Sequence, residues 1–402
     1  MRSLTTVCAR LRSVAGKVAT LVLAVSMGTT AQAEWQDPLE TPAMKSLKAP
    51  FNMLLDVASA GNRLIAVGDR GHIILSDDDG YSWKQAKVPV MTPLTSVYFA
   101  DPRNGWAVGH DAVVLHTNDG GENWVKQFDG FIANELVLEQ AKKQKAEAQT
   151  ELNKAKVMGN RSRISDAEEE LENRTFALED AEYDYEEKST KPLLDLWFKN
   201  AREGFVVGAY GMIFKTIDGG STWTDWSANV ENPDRFHINA IAHAGDNRLM
   251  MVGEMGLILR SLDGGNSWTQ TFSPYEGSYF GVLSLNNHQV QLAFGLRGNL
   301  ARTESFGSNW RLENTGTEQS LIGGTDRRGR VAYVVGNGGA FTKGIDQGQK
   351  WDASVREGRT GAAAIVETQS GHFVIVGEQG VELVDKSGKR VQGAIKSLEV
   401  NG

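Results

Sequence analysis

Cysteine is all but absent: Cys8 is the only one among 402 residues. It stands in a leader-like stretch, so the remainder of the chain has no thiol with which to build a disulfide framework. A small domain stapled by disulfides is thereby excluded, and the chain must supply its own large core. Long apolar runs are missing too. After residue 33 none approaches the ~20 residues that cross a bilayer as a helix. Positive charge is in deficit, with 42 Lys and Arg against 50 Asp and Glu and a net charge of −8. That balance disfavours binding to nucleic acid or anionic lipid through bulk charge. Histidine and cysteine show no metal-ligand spacing, so neither a metal nor a cofactor is expected.

What is present begins with a targeting segment. Arg2, Arg10, Arg12 and Lys17 precede the apolar run Val18–Val25, and Ala31-Gln32-Ala33 has the small-x-small form of a cleavage site. Residues 1–33 therefore read as a signal peptide, for which a membrane anchor is the less fitting alternative because the apolar core is short. The mature chain is expected to be periplasmic, with secretion as the alternative, and not inserted in the membrane. Its composition, 41% hydrophobic and 23% charged with 44 glycines, is globular. So many glycines point to a repeated tight turn, where φ above zero is needed.

The glycines recur. An apolar residue followed by Gly occurs at Val67-Gly68, Val108-Gly109, Val207-Gly208, Val252-Gly253, Phe294-Gly295, Val335-Gly336 and Val376-Gly377. The successive spacings are 41, 99, 45, 42, 41 and 41 residues. A second Gly follows three residues later in every copy but the second, where Ala112 stands. A Trp follows 15 residues later in six of the seven: Trp83, Trp124, Trp223, Trp268, Trp310 and Trp351. Within a copy, β-rich runs such as Leu64–Val67 and His72–Leu75 flank the glycine pair as a hairpin. Another apolar run precedes them and a polar-alternating one follows the Trp. Four strands at this period make a propeller blade. The expected fold is all-β, a seven-bladed β-propeller.

Between third and fourth strands lies Ser/Thr-x-Asp-x-Gly-x-x-Trp, carried by Asp78 and Trp83, Asp119 and Trp124, Asp218 and Trp223, and Asp263 and Trp268. Ser305 replaces the Asp in the fifth copy. The sixth keeps Asp346 and Trp351 but has Gly344 in first place, and the seventh has lost the motif. A carboxylate can accept turn N–H groups, glycine adopts the φ a side chain opposes, and Trp wedges apolar area between sheets. These residues are read as structural. This is the Asp-box, or BNR, repeat of sialidase-like propellers, and its form here resembles the photosystem II assembly and stability factor family. The resemblance covers nearly all of residues 50–392 outside the long interval. It implies a lumenal or periplasmic seven-bladed scaffold that helps a membrane complex assemble. Some heterotrophic relatives of that family look like partners of RND-type exporters.

The 58 extra residues fall between blades 2 and 3. Phe131–Val157 lacks Gly and Pro, Met158-Gly159-Asn160 breaks the pattern, and Ile164 to about Lys188 resumes it. Ile164, Leu171, Leu178 and Tyr185 recur every seven, facing Leu138, Lys145 and Leu152 with alanines between. An antiparallel α-helical coiled-coil hairpin is expected, with Lys142, Lys143, Lys145, Lys154 and Lys156 pairing the eleven acids of Asp166–Glu187 and a weak, mobile seam. The layout is thus a signal peptide at 1–33, blades 1–2 at 34–130, the hairpin insertion at 131–190 and blades 3–7 at 191–402.

The arm should share a face with the turns between second and third strands. Asp69, Arg70, His110, Asp111, Tyr210, Glu254, Arg297, Asn337 and Glu378 are accordingly the candidate partner-binding residues. The leading reading is a non-catalytic exported scaffold, or assembly or accessory factor, gripping a membrane protein complex through that face and the arm. The alternative is a sialidase-like glycoside hydrolase or a glycan-binding propeller. A retaining sialidase needs three arginines, a Tyr activated by Glu and an acid, and only Arg70 and Arg297 stand in those turns. No enzyme is therefore expected.

Overall fold

The computed structural model describes residues 36–393; the expected leader lies outside them. Every sheet and helix falls within one compact unit that begins at Asp37. Among the described residues seven antiparallel sheets follow one another. The first comprises Leu54–Ala60, Arg63–Gly68, Ile73–Ser76 and Lys84–Gln85, paired in chain order, and the next five repeat that order. The seventh has three strands, Ala362–Glu367, Phe373–Gly377 and Gly380–Val384. The first strand of each sheet packs on the first strand of the next, and that of the seventh packs on Leu54–Ala60. Two helices, α1 (Gly130–Met158) and α2 (Arg161–Glu187), lie between the last strand of sheet 2, Val125–Phe128, and the first of sheet 3, Leu193–Phe198.

The core is a set of layers between neighbouring sheets. Ile65, Val67, Ile73 and Leu75 meet Leu94, Val97, Ala107 and Trp124, while Leu64, Ala66, Ile74 and Trp83 meet Val374, Val376, Val381 and Leu383. Each second strand is covered on both sides, which explains why it reads as a continuous apolar run, Phe205-Val206-Val207 for instance, instead of alternating.

The two repeated glycines have different physical reasons. The second adopts the left-handed φ expected of a turn, +69° at Gly71 and +74° at Gly256. The first is extended, with φ 177° at Gly68 and −162° at Gly253. It is needed because a backbone carbonyl presses on it. A Cβ on Gly253 would sit 2.0 Å from the His237 oxygen, and one on Gly68 would sit 2.4 Å from that of Met53. The same carbonyls accept hydrogen bonds from the next residues, Glu254 N at 3.1 Å and Asp69 N at 3.1 Å. A side chain would push the first strand off the second. Gly253→Ala is therefore expected to lower the unfolding free energy by about 1–3 kcal/mol, read from the urea midpoint.

The Asp-box turns show what their side chains do. In sheet 3, Asp218 Oδ1 accepts from Thr222 N at 2.9 Å and Oδ2 from the Thr222 hydroxyl at 2.7 Å, while Gly220 N donates to Thr216 Oγ1 at 2.9 Å. The Thr222 hydroxyl and N–H hold the Asp218 carboxyl below the usual carboxylate range. Asp78, Asp119 and Asp263 make the corresponding bonds, and Ser305 substitutes by accepting from Asn309 N at 3.0 Å. Asp346 does none of this. With Gly344 in place of a hydroxyl residue, the strands stay paired to Ile345 and Lys350, and Asp346 sits exposed beside Lys350 Nζ at 3.3 Å. Trp83, Trp124, Trp223 and Trp268 are buried between sheets, and Trp351 is half-buried.

The first and seventh sheets are flanked differently. Residues 38–46 run beside the outer part of sheet 1, with Met91 N donating to Pro38 O at 2.9 Å and Ala43 N to Val88 O at 3.1 Å. At sheet 7 the chain turns back after Val384, and Arg390 makes a single antiparallel bridge to it.

Candidate functional site

The turns between second and third strands present one side chain each at their apex. Arg70, Asp111, Tyr210, Met255 and Arg297 all adopt left-handed φ, between 49° and 56°, with Gly338 in the equivalent place of sheet 6. The nine candidate residues divide by what their side chains touch. Arg70, His110, Tyr210 and Arg297 are exposed and make no side-chain hydrogen bond or ion pair among the described residues. Asp69 and Asn337 flank the same turns, where their N–H groups donate to Met53 O and Ser320 O. Asp111, Glu254 and Glu378 instead tie the turn to the chain leading into a first strand. Glu254 Oε2 accepts from His237 N at 3.0 Å and Glu378 Oε2 from Gly361 N at 3.0 Å. Asp111 accepts the Thr92 and Thr190 hydroxyls, both at 2.7 Å, and so joins sheet 2 to the end of the helical insertion.

The base of the arm is well anchored. Asp129 caps α1 by accepting from Phe131 N and Ile132 N. Asn134 Nδ2 donates to Asp184 O and Ser189 O, joining α1 to the end of α2. The helices pack through Leu138, Ala141, Ala148, Leu152 and Ala155 on one side and half-buried Ile164, Leu171 and Leu178 with buried Ala181 on the other. Of the five lysines expected to pair across the seam, only Lys156 does so, to Glu168 at 3.5 Å. Lys154 turns back along its own helix to Glu151. Lys142 and Lys143 are exposed, where a pair contributes little, and Lys145 is half-buried without an ion pair among the described residues. Tyr185, expected in the seam, is 47% exposed.

Between arm and sheets lies a cleft of about 610 Å³. Its floor and walls come from Asn134, Gln144 and Arg174 of the arm, Tyr210 of the sheet 3 turn, and Asp225 and Arg235 below. Arg235 Nη1 reaches Asp180 of α2 at 3.4 Å, and Lys191 pairs with Asp184. Tyr210 stacks edge-on against His237, and Lys191 Nζ lies 5.3 Å from its ring centre. Asp225, hydrogen-bonded to Ser227, is pushed up by burial. Amide side chains, exposed aromatics and charges already paired suit a polypeptide segment, which needs hydrogen-bond partners and apolar contact in alternation.

A second constellation lies on the first strands. Asp56, Ser96 and Asp195 occupy the same place in sheets 1, 2 and 3, just after the register shift; the matching residues in sheets 4 to 7 are Ala240, Gly281, Gly323 and Ala364. Ser96 Oγ is 2.8 Å from Asp56 Oδ2 and 2.8 Å from Asp195 Oδ1. Asp56 also accepts Val97 N from sheet 2, and Asp195 accepts Ile241 N from sheet 4, at 2.9 and 2.8 Å. One hydroxyl hydrogen cannot serve two carboxylates, so the arrangement favours retention of a proton by the pair. Burial, with the charge of Asp56, pushes Asp195 up to about 7. Sequence reasoning missed this trio. Its one signal is the shared Leu-Leu-Asp at 54–56 and 193–195, an acid inside an otherwise apolar strand.

Among the described residues no group of three or more His, Cys, Asp or Glu is placed to hold a metal ion. Two curated relatives match short stretches. The chloroplastic photosystem II stability/assembly factor HCF136 of Cyanidioschyzon merolae is 45% identical over 47 residues, 11% of each chain. The photosystem II assembly lipoprotein Ycf48 of Parasynechococcus marenigrum is 40% identical over 53 residues, 13% of this chain and 16% of that one. The chain thus matches only about a tenth to a sixth of these relatives' length. Solved structures match far more broadly. YCF48 bound to D1 peptide superposes with a TM-score of 0.58 at 16% identity, over 84% of this chain and 94% of that one. YCF48 from Cyanidioschyzon merolae gives 0.57 at 14%, over 86% and 99%. The WD40 β-propeller domain of Doa1 gives 0.56 at 8%, over 88% and 98%. At such identities the likeness is one of fold, a β-propeller. The family model described as photosynthesis system II assembly factor YCF48 matches residues 81–147 and 179–328, and the chain belongs to that family.

Proposed function

We propose that the protein is a non-catalytic exported assembly or accessory factor that holds a segment of a membrane-embedded protein complex against its turn face. The observation carrying this reading is the cleft: the arm and the sheet 3 turn enclose about 610 Å³ of peptide-compatible space. Family membership supports it, as does the solved structure of YCF48 bound to D1 peptide. In this reading the seven sheets are the seven blades of one ring, 34–130 and 191–402, and residues 131–190 are an accessory arm. The leader at 1–33 and the description of one relative as a lipoprotein support an exported, periplasmic location. Arg70, His110 and Arg297, exposed and without side-chain hydrogen bonds, and Tyr210, stacked on His237, extend the contact surface across the ring, while Asp111, Glu254 and Glu378 shape it. An RND-type exporter is one concrete complex to test as partner.

Replacing residues 131–188 by a short turn is expected to leave a cooperatively folding ring, with far-UV circular dichroism that loses only its helical part. Capture of the membrane partner from detergent-solubilised envelope should be lost, and Arg235→Glu should weaken it about tenfold by setting like charge against Asp180. Unchanged recovery by both variants would overturn the reading. A fluorogenic sialoside assay separates it from the hydrolase alternative: turnover abolished by changing Arg70 or Arg297 would favour the enzyme.

A further inference from the structure

The far end of the arm differs from everything around it. From Asn153 to Ile164 the chain carries Lys154, Lys156, Arg161 and Arg163 and no acid, in a protein of net charge −8. Eleven acids follow within Asp166–Glu187. At the apex Val157 is 90% exposed and Met158 65%. Every residue from Lys156 to Arg163 is exposed. The helix ends here on Gly159 in the left-handed conformation, φ 68°, so the two apolar side chains belong to the last turn of α1 and are presented at the tip. Arg161 and Arg163 form no ion pair among the described residues, and the two lysine pairs, with Glu151 and Glu168, are solvent-exposed.

The cleft takes its arm residues from no farther out than Gln144 on α1 and Glu170 on α2. Fourteen further residues of α1 then project beyond it, roughly 20 Å at 1.5 Å per residue. That reach exceeds the Debye length of about 8 Å at physiological ionic strength, so the acidic ring is screened from whatever the tip meets. Glu151, Asp166 and Glu168 stand behind the four cations on the helix shafts. Exposed apolar side chains inside a collar of Lys and Arg combine the two attractions a lipid surface offers, acyl-boundary burial and anionic headgroups.

We infer that the tip of the α1–α2 hairpin docks on an anionic phospholipid surface, with Val157 and Met158 entering the headgroup region and Arg161, Arg163, Lys154 and Lys156 meeting the phosphates. The contact is peripheral and end-on, because the rest of the protein is acidic and would be repelled. It sets the ring at arm's length from the bilayer, with the turn face directed toward proteins embedded in it. The inference rests on the tip alone and stands or falls separately from the cleft.

The test uses the chain from residue 34 onward, which contains the whole compact unit, and measures co-sedimentation with phosphatidylglycerol–phosphatidylcholine vesicles and with phosphatidylcholine vesicles. Binding is expected to the anionic vesicles alone and to weaken as salt is raised. Arg161→Glu with Arg163→Glu should reduce it at least tenfold, given about 1 kcal/mol for each basic charge near such a surface and 1.4 kcal/mol per factor of ten. Val157→Ser with Met158→Ser should also reduce it at unchanged charge. Both variants alter only exposed positions, so their melting curves should overlay the parent's. Arg235→Glu, which tests the cleft, should bind vesicles as the parent does. Equal binding to both vesicle types, or tip variants that bind like the parent, would overturn the inference. So would tip variants that lose a membrane protein in detergent when the parent shows no vesicle binding, since the tip would then be a protein contact.

Discussion

Asp195→Asn is expected to make the protein more stable at pH 8 than the parent. In the folded chain Asp195 is buried between sheets and pushed up to about 7, from an ordinary value of 3.8. A carboxyl group raised in this way favours folding only while it keeps its proton. Its contribution is complete below pH 3.8, fades as pH rises toward 7, and stays lost above that. About three pKa units at 1.36 kcal/mol each set the scale, so the gain from a permanently neutral amide should be about 2–4 kcal/mol at pH 8. The amide oxygen can still accept Ile241 N and its NH₂ can donate to Ser96 Oγ, but the Leu196 N–H that Oδ1 accepts at 2.8 Å loses its partner, which takes about 1 kcal/mol off the gain. Urea unfolding from pH 4 to 8 checks this: the advantage of the variant should shrink steadily toward pH 4. Parallel curves for the two proteins would show that no proton sits between Asp56 and Asp195.

Arg356→Ala should be among the most damaging single changes, costing about 3–5 kcal/mol. Among the described residues sheet 7 has three strands, and its repeat has no Asp-box tryptophan, so it lacks the wedge that fastens the others. Its third strand carries Glu382, whose side chain is 8% exposed, and Arg356 from the end of sheet 6 is 2% exposed. Arg356 Nη1 donates to Glu382 Oε2 at 2.5 Å and Nη2 to Thr360 O at 2.8 Å, while Arg390 binds Oε1 at 3.0 Å. Removing the arginine leaves the buried Glu382 carboxylate held only at Oε1, by the exposed Arg390 and the Thr360 hydroxyl, with Oε2 unpartnered. Replacing both members, Arg356→Met with Glu382→Leu, should recover most of the loss, because no charge is then left unpaired. A double-mutant cycle by thermal or urea unfolding measures it; losses that simply add would mean the pair is not coupled.

Most of the repeated sheets were legible because each repeat encodes its own turn chemistry within a few residues. Ser76, Asp78, Gly80 and Trp83 act on one another locally, so their spacing is informative. The paired glycines were visible but half explained. The second meets the demand for positive φ, whereas the first answers a carbonyl some 15 residues earlier, which turn rules do not contain. Partners far apart in the chain were not legible at all. Ser96 and Asp195 stand 99 positions apart and Arg235 and Asp180 55 apart, and nothing local to either residue names the other. The arm's helices were readable from composition. Its lysines were misread, because attraction between opposite charges is weak when both can point into water.

The anchorage of the arm has a corollary. A built Cβ on Gly130, where the chain leaves the ring, would touch the Thr190 side chain at 2.3 Å, where it returns. Asp111 fixes that return through Thr190, and Asn134 joins the two helices just above. The excursion therefore begins and ends at one point, and the sheets on either side meet as though joined by a tight link. Little closure entropy accrues to the ring from however much chain is placed there. Beyond the residues that wall the cleft, the hairpin can therefore be lengthened or shortened without altering how sheets 2 and 3 meet.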